Sequence, residues 1–272
     1  MEYKKVLILY GPRQVGKTTL IQEFLNNYKD SYRMDVGDDI MVCNVLLSEN
    51  KSQLLEYAGN NSLIIIDEAQ RIPGIGLGLK MLVDALPNTY FLITGSSSIE
   101  LMGQVGEPLT GRKNTLFLYP LSIKEINPSL NKFDIKNNLE NYLIYGGYPE
   151  VVSIDNKKKK EICLSELAHS YLLKDILEMD RIKNSKVLID LLRMLAFQIG
   201  SEVSLSELSR SLQINAKTVA RYIDLLEKSF IIYSLRGYSR NLRKEITKNT
   251  KILFLRQWDS ECSDFQFQCS NS

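Results

Sequence analysis

The chain has 272 residues, enough for one large or two modest domains with a sizeable core. Hydrophobic residues make up 44%, charged residues 24%, and the net charge is only +2, so the composition is that of a globular protein without a global basic field for nucleic acid. Cys43, Cys163, Cys262 and Cys269 form no CxxC pair and His169 is the single histidine. That pattern leaves no zinc motif, no HExxH metal site and no disulfide framework, and it suits reduced cytoplasmic thiols. No segment approaches the ~18 apolar residues of a membrane span, so no membrane partner is expected.

Val6–Tyr10 is an unbroken apolar run between Lys5 and Gly11, which predicts a buried parallel strand. Lys17–Tyr28 follows with Leu20, Ile21, Phe24 and Leu25 at helical spacing. Ser31–Val36 reads as a strand, residues 39–50 and 52–58 as helices, and Leu63–Ile66 as a second buried strand ending on Asp67-Glu68. Residues 79–86 are helical, Tyr90–Thr94 a strand, and Thr115–Tyr119 a fifth strand stopped by Pro120. This alternation predicts an α/β fold, a parallel sheet flanked by helices on both faces. Past Ile123 the strand signal fades. Residues 124–180 are polar and helical, interrupted by Gly146-Gly147-Tyr148-Pro149 and by Lys157–Lys160, which reads as a solvated loop.

Between the first strand and first helix lies Gly11-Pro12-Arg13-Gln14-Val15-Gly16-Lys17-Thr18-Thr19, a match to GxxxxGK[ST] in the context that gives the pattern meaning. The glycines let backbone N–H groups close around phosphates, Lys17 reaches the β- and γ-phosphates, and Thr18 ligates Mg²⁺. The expected ligands are therefore ATP and Mg²⁺. Asp67 fits the metal-side carboxylate at a strand tip, and Glu68 fits the base that orients the attacking water. Thr94 or Ser96, at the end of the Tyr90–Thr94 strand, is placed to sense the γ-phosphate. Arg112 is either an arginine finger or a surface arginine.

Two other patterns are set aside. Asn131-Lys-Phe-Asp134 matches the guanine-reading NKxD but follows no hydrophobic strand. Gly74-Ile-Gly76-Leu-Gly78 follows Pro73 rather than a strand and reads as a flexible loop. Further on, Ser204 and Glu207 form a capping-box pattern with Leu205, Leu208 and Leu212 behind it. Ile214-Asn215 then makes a turn, residues 216–226 a second helix, and Phe230–Leu235 a strand. This is the order of a winged helix-turn-helix, with Asn215, Lys217, Thr218 and Arg221 on the helix that would face DNA. A winged helix used only for protein contacts is the alternative.

These pieces together resemble a family of predicted bacterial and archaeal AAA+-like P-loop ATPases. The matching stretches are GPRQVGKTTL at 11–20, IIIDEAQRIP at 64–73, ITGSSS at 93–98, LTGR at 109–112, YPLSIKE at 119–125, GGYPE at 146–150 and TVARYIDLLEKSFII at 218–232. The resemblance implies an ATPase core over residues 1–125, a helical lid or linker over 126–183, a winged helix over 184–240, and the start of a restriction-endonuclease-like domain over 241–255. Its members carry no settled biological role. Residues 256–272 depart from it. If codons TTA CGA CAA TGG GAT TCG GAA TGC AGT GAT encode residues 255–264, reading one base later gives Tyr-Asp-Asn-Gly-Ile-Arg-Asn-Ala-Val, the family's continuation. The expectation is a frameshift near Leu255 and a truncated C-terminal domain.

Taken together, the expected function is a Mg-dependent ATP hydrolase acting as a nucleotide-dependent switch upon a protein partner or a second copy of itself. A DNA-binding regulator in which ATP is secondary, and a non-functional remnant exposing Leu253 and Phe254, are the alternatives.

Overall fold

The computed structural model describes residues 1, 4–96, 105–167, 185–235 and 250–254. They form two compact units divided in sequence between Tyr119 and Pro120. His169, Cys262, Cys269 and the departure after Phe254 lie outside the described residues.

The first unit alternates β1 (Val6–Tyr10), α1 (Lys17–Asn26), β2 (Tyr32–Val36), α2 (Ile40–Leu47), α3 (Lys51–Ala58), β3 (Leu63–Asp67), α4 (Ile75–Ala85), β4 (Tyr90–Gly95) and β5 (Lys113–Phe117). The five strands are all parallel, in the order β2-β3-β4-β1-β5. Parallel pairing requires crossovers, so both sheet faces are covered and the central strands read as continuous apolar runs. All five residues of β3 are buried. Leu9, Leu63, Ile65 and Leu92 pack on Ile21 of α1, and each such aliphatic side chain contributes ~1.5–3 kcal/mol on burial. Only part of the expected α1 stripe is used, because Leu20 and Phe24 remain 49% and 42% exposed while Ile21 is at 2%.

Two loops expected from the sequence are helical. Gly74, at φ 78°, caps α4, and Gly76 and Gly78 lie inside the helix, both buried. A Cβ on Gly78 would sit 2.2 Å from the Leu46 carbonyl oxygen, so glycine serves close approach to the end of α2 rather than flexibility.

The second unit begins with α5 (Ile123–Ile126), α6 (Lys132–Asn137), α7 (Leu139–Tyr145), α8 (Pro149–Ser153) and α9 (Lys157–Leu167). The Lys157–Lys160 run is therefore the first turn of a helix, not a loop. Asn156 Oδ1 accepts from the Lys159 N–H at 3.2 Å, and the helix buries Cys163, Leu164 and Leu167 against Tyr145, Tyr148 and Val151. The NKxD match is a capping box, since the Asn131 side chain accepts from the Phe133 and Asp134 N–H groups. Gly147 lies against Leu121, whose N–H donates to the Gly147 carbonyl at 2.8 Å; a Cβ there would come within 1.9 Å of the Leu121 oxygen.

Next come α10 (Ser185–Phe197), β6 (Glu202–Val203), α11 (Leu205–Leu212), α12 (Ala216–Lys228), β7 (Ile232–Leu235) and β8 (Thr250–Phe254). The three strands form an antiparallel sheet in the order β6-β8-β7; β7 falls within the strand expected at Phe230–Leu235, and β6 and β8 join it. Leu191, Leu195, Leu208, Val219 and Leu226 are buried, whereas Leu205 is 41% exposed. Phe254, which the remnant alternative would expose, is only 8% exposed; Leu253 beside it is at 37%. Among the described residues no helix is long and apolar enough to cross a membrane.

Candidate nucleotide site

The site gathers at the C-terminal ends of β1, β3 and β4. β4 lies between the other two, so the tips of all three strands are neighbours. Beyond Tyr10 the chain turns sharply. Gly11 donates its N–H to the Gly95 carbonyl at 3.3 Å, and the Tyr10 carbonyl accepts from the Leu118 N–H at 2.7 Å. A Cβ on Gly11 would meet the Leu118 oxygen at 2.3 Å, so only glycine fits where the chain after β5 passes the loop. Gln14 at φ 58° and Gly16 at φ 96° are both left-handed. Such alternations turn successive N–H groups toward one point and form an anion nest, which here opens directly onto the N-terminus of α1. Pro12 and Val15 are buried and anchor the loop, Arg13 is half-buried, and Gln14 and Thr19 are exposed.

Lys17 is only 5% exposed, and its ammonium donates to the carbonyls of Gly11 and Pro12 at 2.9 Å each. The lysine thus arches back over the loop and places its charge where a phosphate chain would lie. The neighbouring Thr18 hydroxyl donates to Asp67 Oδ2 at 2.8 Å. The second oxygen of Asp67 accepts from Thr94, which is fully buried. Asp67 is therefore held at both oxygens, with one edge toward Thr18.

A hydroxyl and a carboxylate side by side are the hard oxygen donors that Mg²⁺ takes from proteins in phosphate sites. The described residues contain no cluster of three or more His, Cys, Asp or Glu that would hold a metal by itself. A Mg²⁺ at Thr18 and Asp67 would therefore complete its shell from phosphate oxygens and water.

Glu68 leaves β3 in the left-handed region, at φ 52° and ψ 43°. Its N–H donates to Thr94 Oγ1 at 3.0 Å, and a Cβ on Gly37 would come within 2.4 Å of its carbonyl. The Glu68 carboxylate accepts at Oε2 from Ser96, at 3.2 Å, and from the Gln70 amide. The same Gln70 nitrogen donates to Ser96 Oγ at 3.0 Å. Gln70 and Ser96 are 6% and 7% exposed. Of the two sensor candidates, Thr94 is committed to Asp67 and to the Glu68 backbone, while Ser96 stands on the Glu68 side. Gln70 lies outside the phosphate-loop and strand-end patterns, and its one sequence signal is an amide three residues after the strand-end Asp67.

Arg112 is not brought to this group. It precedes β5, where the Val6 N–H donates to its carbonyl at 2.8 Å, and its guanidinium pairs with Asp84 at 2.7 Å. Val6 opens β1 and the phosphate loop follows its other end, some four steps of ~3.3 Å along the strand. An arginine side chain does not span that distance.

In the second unit, Lys217 and Arg221 are exposed on α12. Asn215 is spent as the cap of that helix, accepting from the Lys217 N–H at 2.8 Å.

Residues 3–127 match the family model described as an AAA domain, and residues 136–255 match one described as a domain of unknown function (DUF8612). An uncharacterized protein of Methanocaldococcus jannaschii is 25% identical over 255 residues, covering 86% of this chain and 57% of that protein. One of Haemophilus influenzae is 28% identical over 273 residues, covering 90% and 66%. One of Mycobacterium tuberculosis is 28% identical over 249 residues, covering 91% and 53%. The chain thus spans between about half and two thirds of the length of these relatives. Among solved structures, a Walker-type ATPase of Pyrococcus abyssi superposes with a TM-score of 0.60 at 16% identity, over 96% of this chain and 91% of that one. The α/β fold expected from the sequence, a parallel sheet flanked by helices, is thereby shared with a Walker-type ATPase.

Proposed function

We propose that the first unit binds ATP with Mg²⁺ and hydrolyses it. The observation that carries this reading is the convergence of four side chains from two segments far apart in sequence: Lys17 over the loop, Thr18 bonded to Asp67, and Glu68 turned out of β3 beside them. Residues 11–19 cradle the phosphates: Gly11 and Pro12 shape the entry of the loop, and the backbone N–H groups of Arg13, Gln14, Val15, Gly16, Thr18 and Thr19 are the donors. Lys17 neutralises charge on the β- and γ-phosphates, and Thr18 with Asp67 takes the metal, which supplies Lewis-acid polarisation of the phosphoryl oxygens when bound. Glu68 accepts a proton from the attacking water. Ser96 donates to the γ-phosphate. Arg112 lies at the opposite end of the strands from its own site, so any arginine finger comes from another segment or another copy of the chain.

The test is steady-state turnover. Glu68→Gln preserves the shape of the site but cannot accept a proton, and should lower kcat by about 10²-fold or more with nucleotide affinity kept. Unchanged turnover in that variant would remove Glu68 from the mechanism.

For the second unit, the order α10-β6-α11-α12-β7-β8 supports a winged helix, with residues 126–183 as a lid or linker before it. Its exposed Lys217 and Arg221 favour a contact with a DNA phosphate backbone, so that the nucleotide state is reported to DNA or to a protein partner.

A further inference from the structure

We infer that Gln70 is a positioning residue for the Glu68 carboxylate, and that Gln70 and Ser96 form a toggle by which the γ-phosphate releases and aims the base. The inference rests on the ATPase reading above and goes beyond it by assigning a regulator to Glu68.

The argument is one of hydrogen counting. The Ser96 hydroxyl has a single proton, and here it goes to Glu68 Oε2 at 3.2 Å. A serine at the tip of β4 that donates to a γ-phosphate oxygen can no longer donate to Glu68. Without a second donor the carboxylate would lose its anchor at the moment it is needed. Gln70 supplies that donor. Its amide nitrogen carries two hydrogens, one directed to Glu68 Oε2 and one to Ser96 Oγ at 3.0 Å.

The amide therefore holds both groups at once. It keeps Ser96 as an acceptor, which leaves the Ser96 proton free to choose between carboxylate and phosphate. It also keeps Oε2 of Glu68 occupied, which leaves Oε1 to take the proton of water.

The backbone supports this role. Gln70 sits in a single 3₁₀ turn, Ala69–Arg71, directly after the left-handed Glu68. Gly37 closes on the Glu68 carbonyl, and its N–H donates to the Asp67 carbonyl at 2.7 Å, so the turn presenting Gln70 is fixed from the β2 side. Ser96 is equally fixed by its place at the end of β4. Before phosphate arrives, Glu68 is tied by two donors; afterwards it is tied by one, and its free oxygen faces the water.

Gln70→Met keeps side-chain length but has no donor. With Mg-ATP it should lower kcat by about 10-fold or more while nucleotide affinity, measured by titration with fluorescent ATP, stays within about 2-fold. Gln70→Asn keeps the donor on a shorter stem and should recover part of the loss. The decisive comparison is made in the Glu68→Gln background. There Gln70→Met should cause no further fall in turnover, because the base it positions is already gone.

Loss of nucleotide affinity in Gln70→Met, or an equal fall in both backgrounds, would show a structural role and overturn the toggle. Should Glu68→Gln itself leave turnover intact, the ATPase assignment of Glu68 fails instead, and the two failures are distinct.

Discussion

Gly78→Ala sets two known effects against each other, and the structure decides the sign. Gly78 lies inside α4, where replacing glycine by alanine ordinarily stabilises a helix by ~0.8–1.0 kcal/mol. The added Cβ would, however, fall 2.2 Å from the Leu46 carbonyl oxygen and 3.2 Å from its carbon. Those are backbone atoms at the end of α2, so relief requires α2 and α4 to part by about 1 Å, and overpacking against backbone lies in the upper part of the usual range, ~2–3 kcal/mol. The net effect is destabilisation by about 1–2 kcal/mol. At ~2–4 °C per kcal/mol for a domain of this size, the thermal midpoint should fall by roughly 2–8 °C. Thermal unfolding followed by far-ultraviolet circular dichroism reads it directly. A midpoint raised by a few degrees, as helix propensity alone dictates, would refute the close packing of α2 on α4.

Tyr57→Phe should destabilise the first unit by ~1.5–3 kcal/mol, because the Tyr57 hydroxyl donates to Asp35 Oδ2 at 2.8 Å and the bond is to a charged group; chemical denaturation measures it. Burial, and then the Asp35 carboxylate, push the Tyr57 phenol well above its usual range. This contribution is fully present below pH ~10, where an unfolded tyrosine starts to ionise, and is lost as pH rises toward the folded value, which an alkaline unfolding series will show. Arg112→Ala should leave nucleotide affinity unchanged and cost at most ~1 kcal/mol, since its pair with Asp84 is exposed at 39% and 47%; a large loss of affinity would place Arg112 at the phosphates after all. Lys217→Ala with Arg221→Ala should weaken DNA binding and reduce its salt slope by about 2, read by fluorescence anisotropy across salt concentrations. Binding with no salt dependence would remove the phosphate contact.

The parts of the fold legible in the sequence were those that local chemistry dictates. Leu63–Asp67 had to be a buried strand because four aliphatic residues precede a carboxylate, and Gly11–Gly16 had to be a loop because two glycines bracket it. Gly74–Gly78 misled because helix propensity is local, whereas the need for glycine at residue 78 comes from Leu46, thirty-two positions upstream. Lys157–Lys160 misled for a similar reason: charge says solvent, and Cys163, Leu164 and Leu167 further along say helix. β6 was too short to leave a pattern, being only Glu202–Val203. At the site, Lys17, Thr18, Asp67 and Glu68 were legible as a spacing. Gln70 was not, since its partner Ser96 is joined to it only by the pairing of β3 with β4, and Arg112 could be put at the far end of the strands only once β5 was seen to run parallel to β1.

Isothermal titration of the purified chain with ATP, in the presence and absence of magnesium, bears most directly on the nucleotide site. The intact protein should bind one ATP per chain, more tightly with magnesium, and Lys17→Ala should lose at least about 10-fold in affinity while keeping its unfolding midpoint within a few degrees. Binding that is absent from the folded chain, or indifferent to the Lys17 ammonium, would contradict the account.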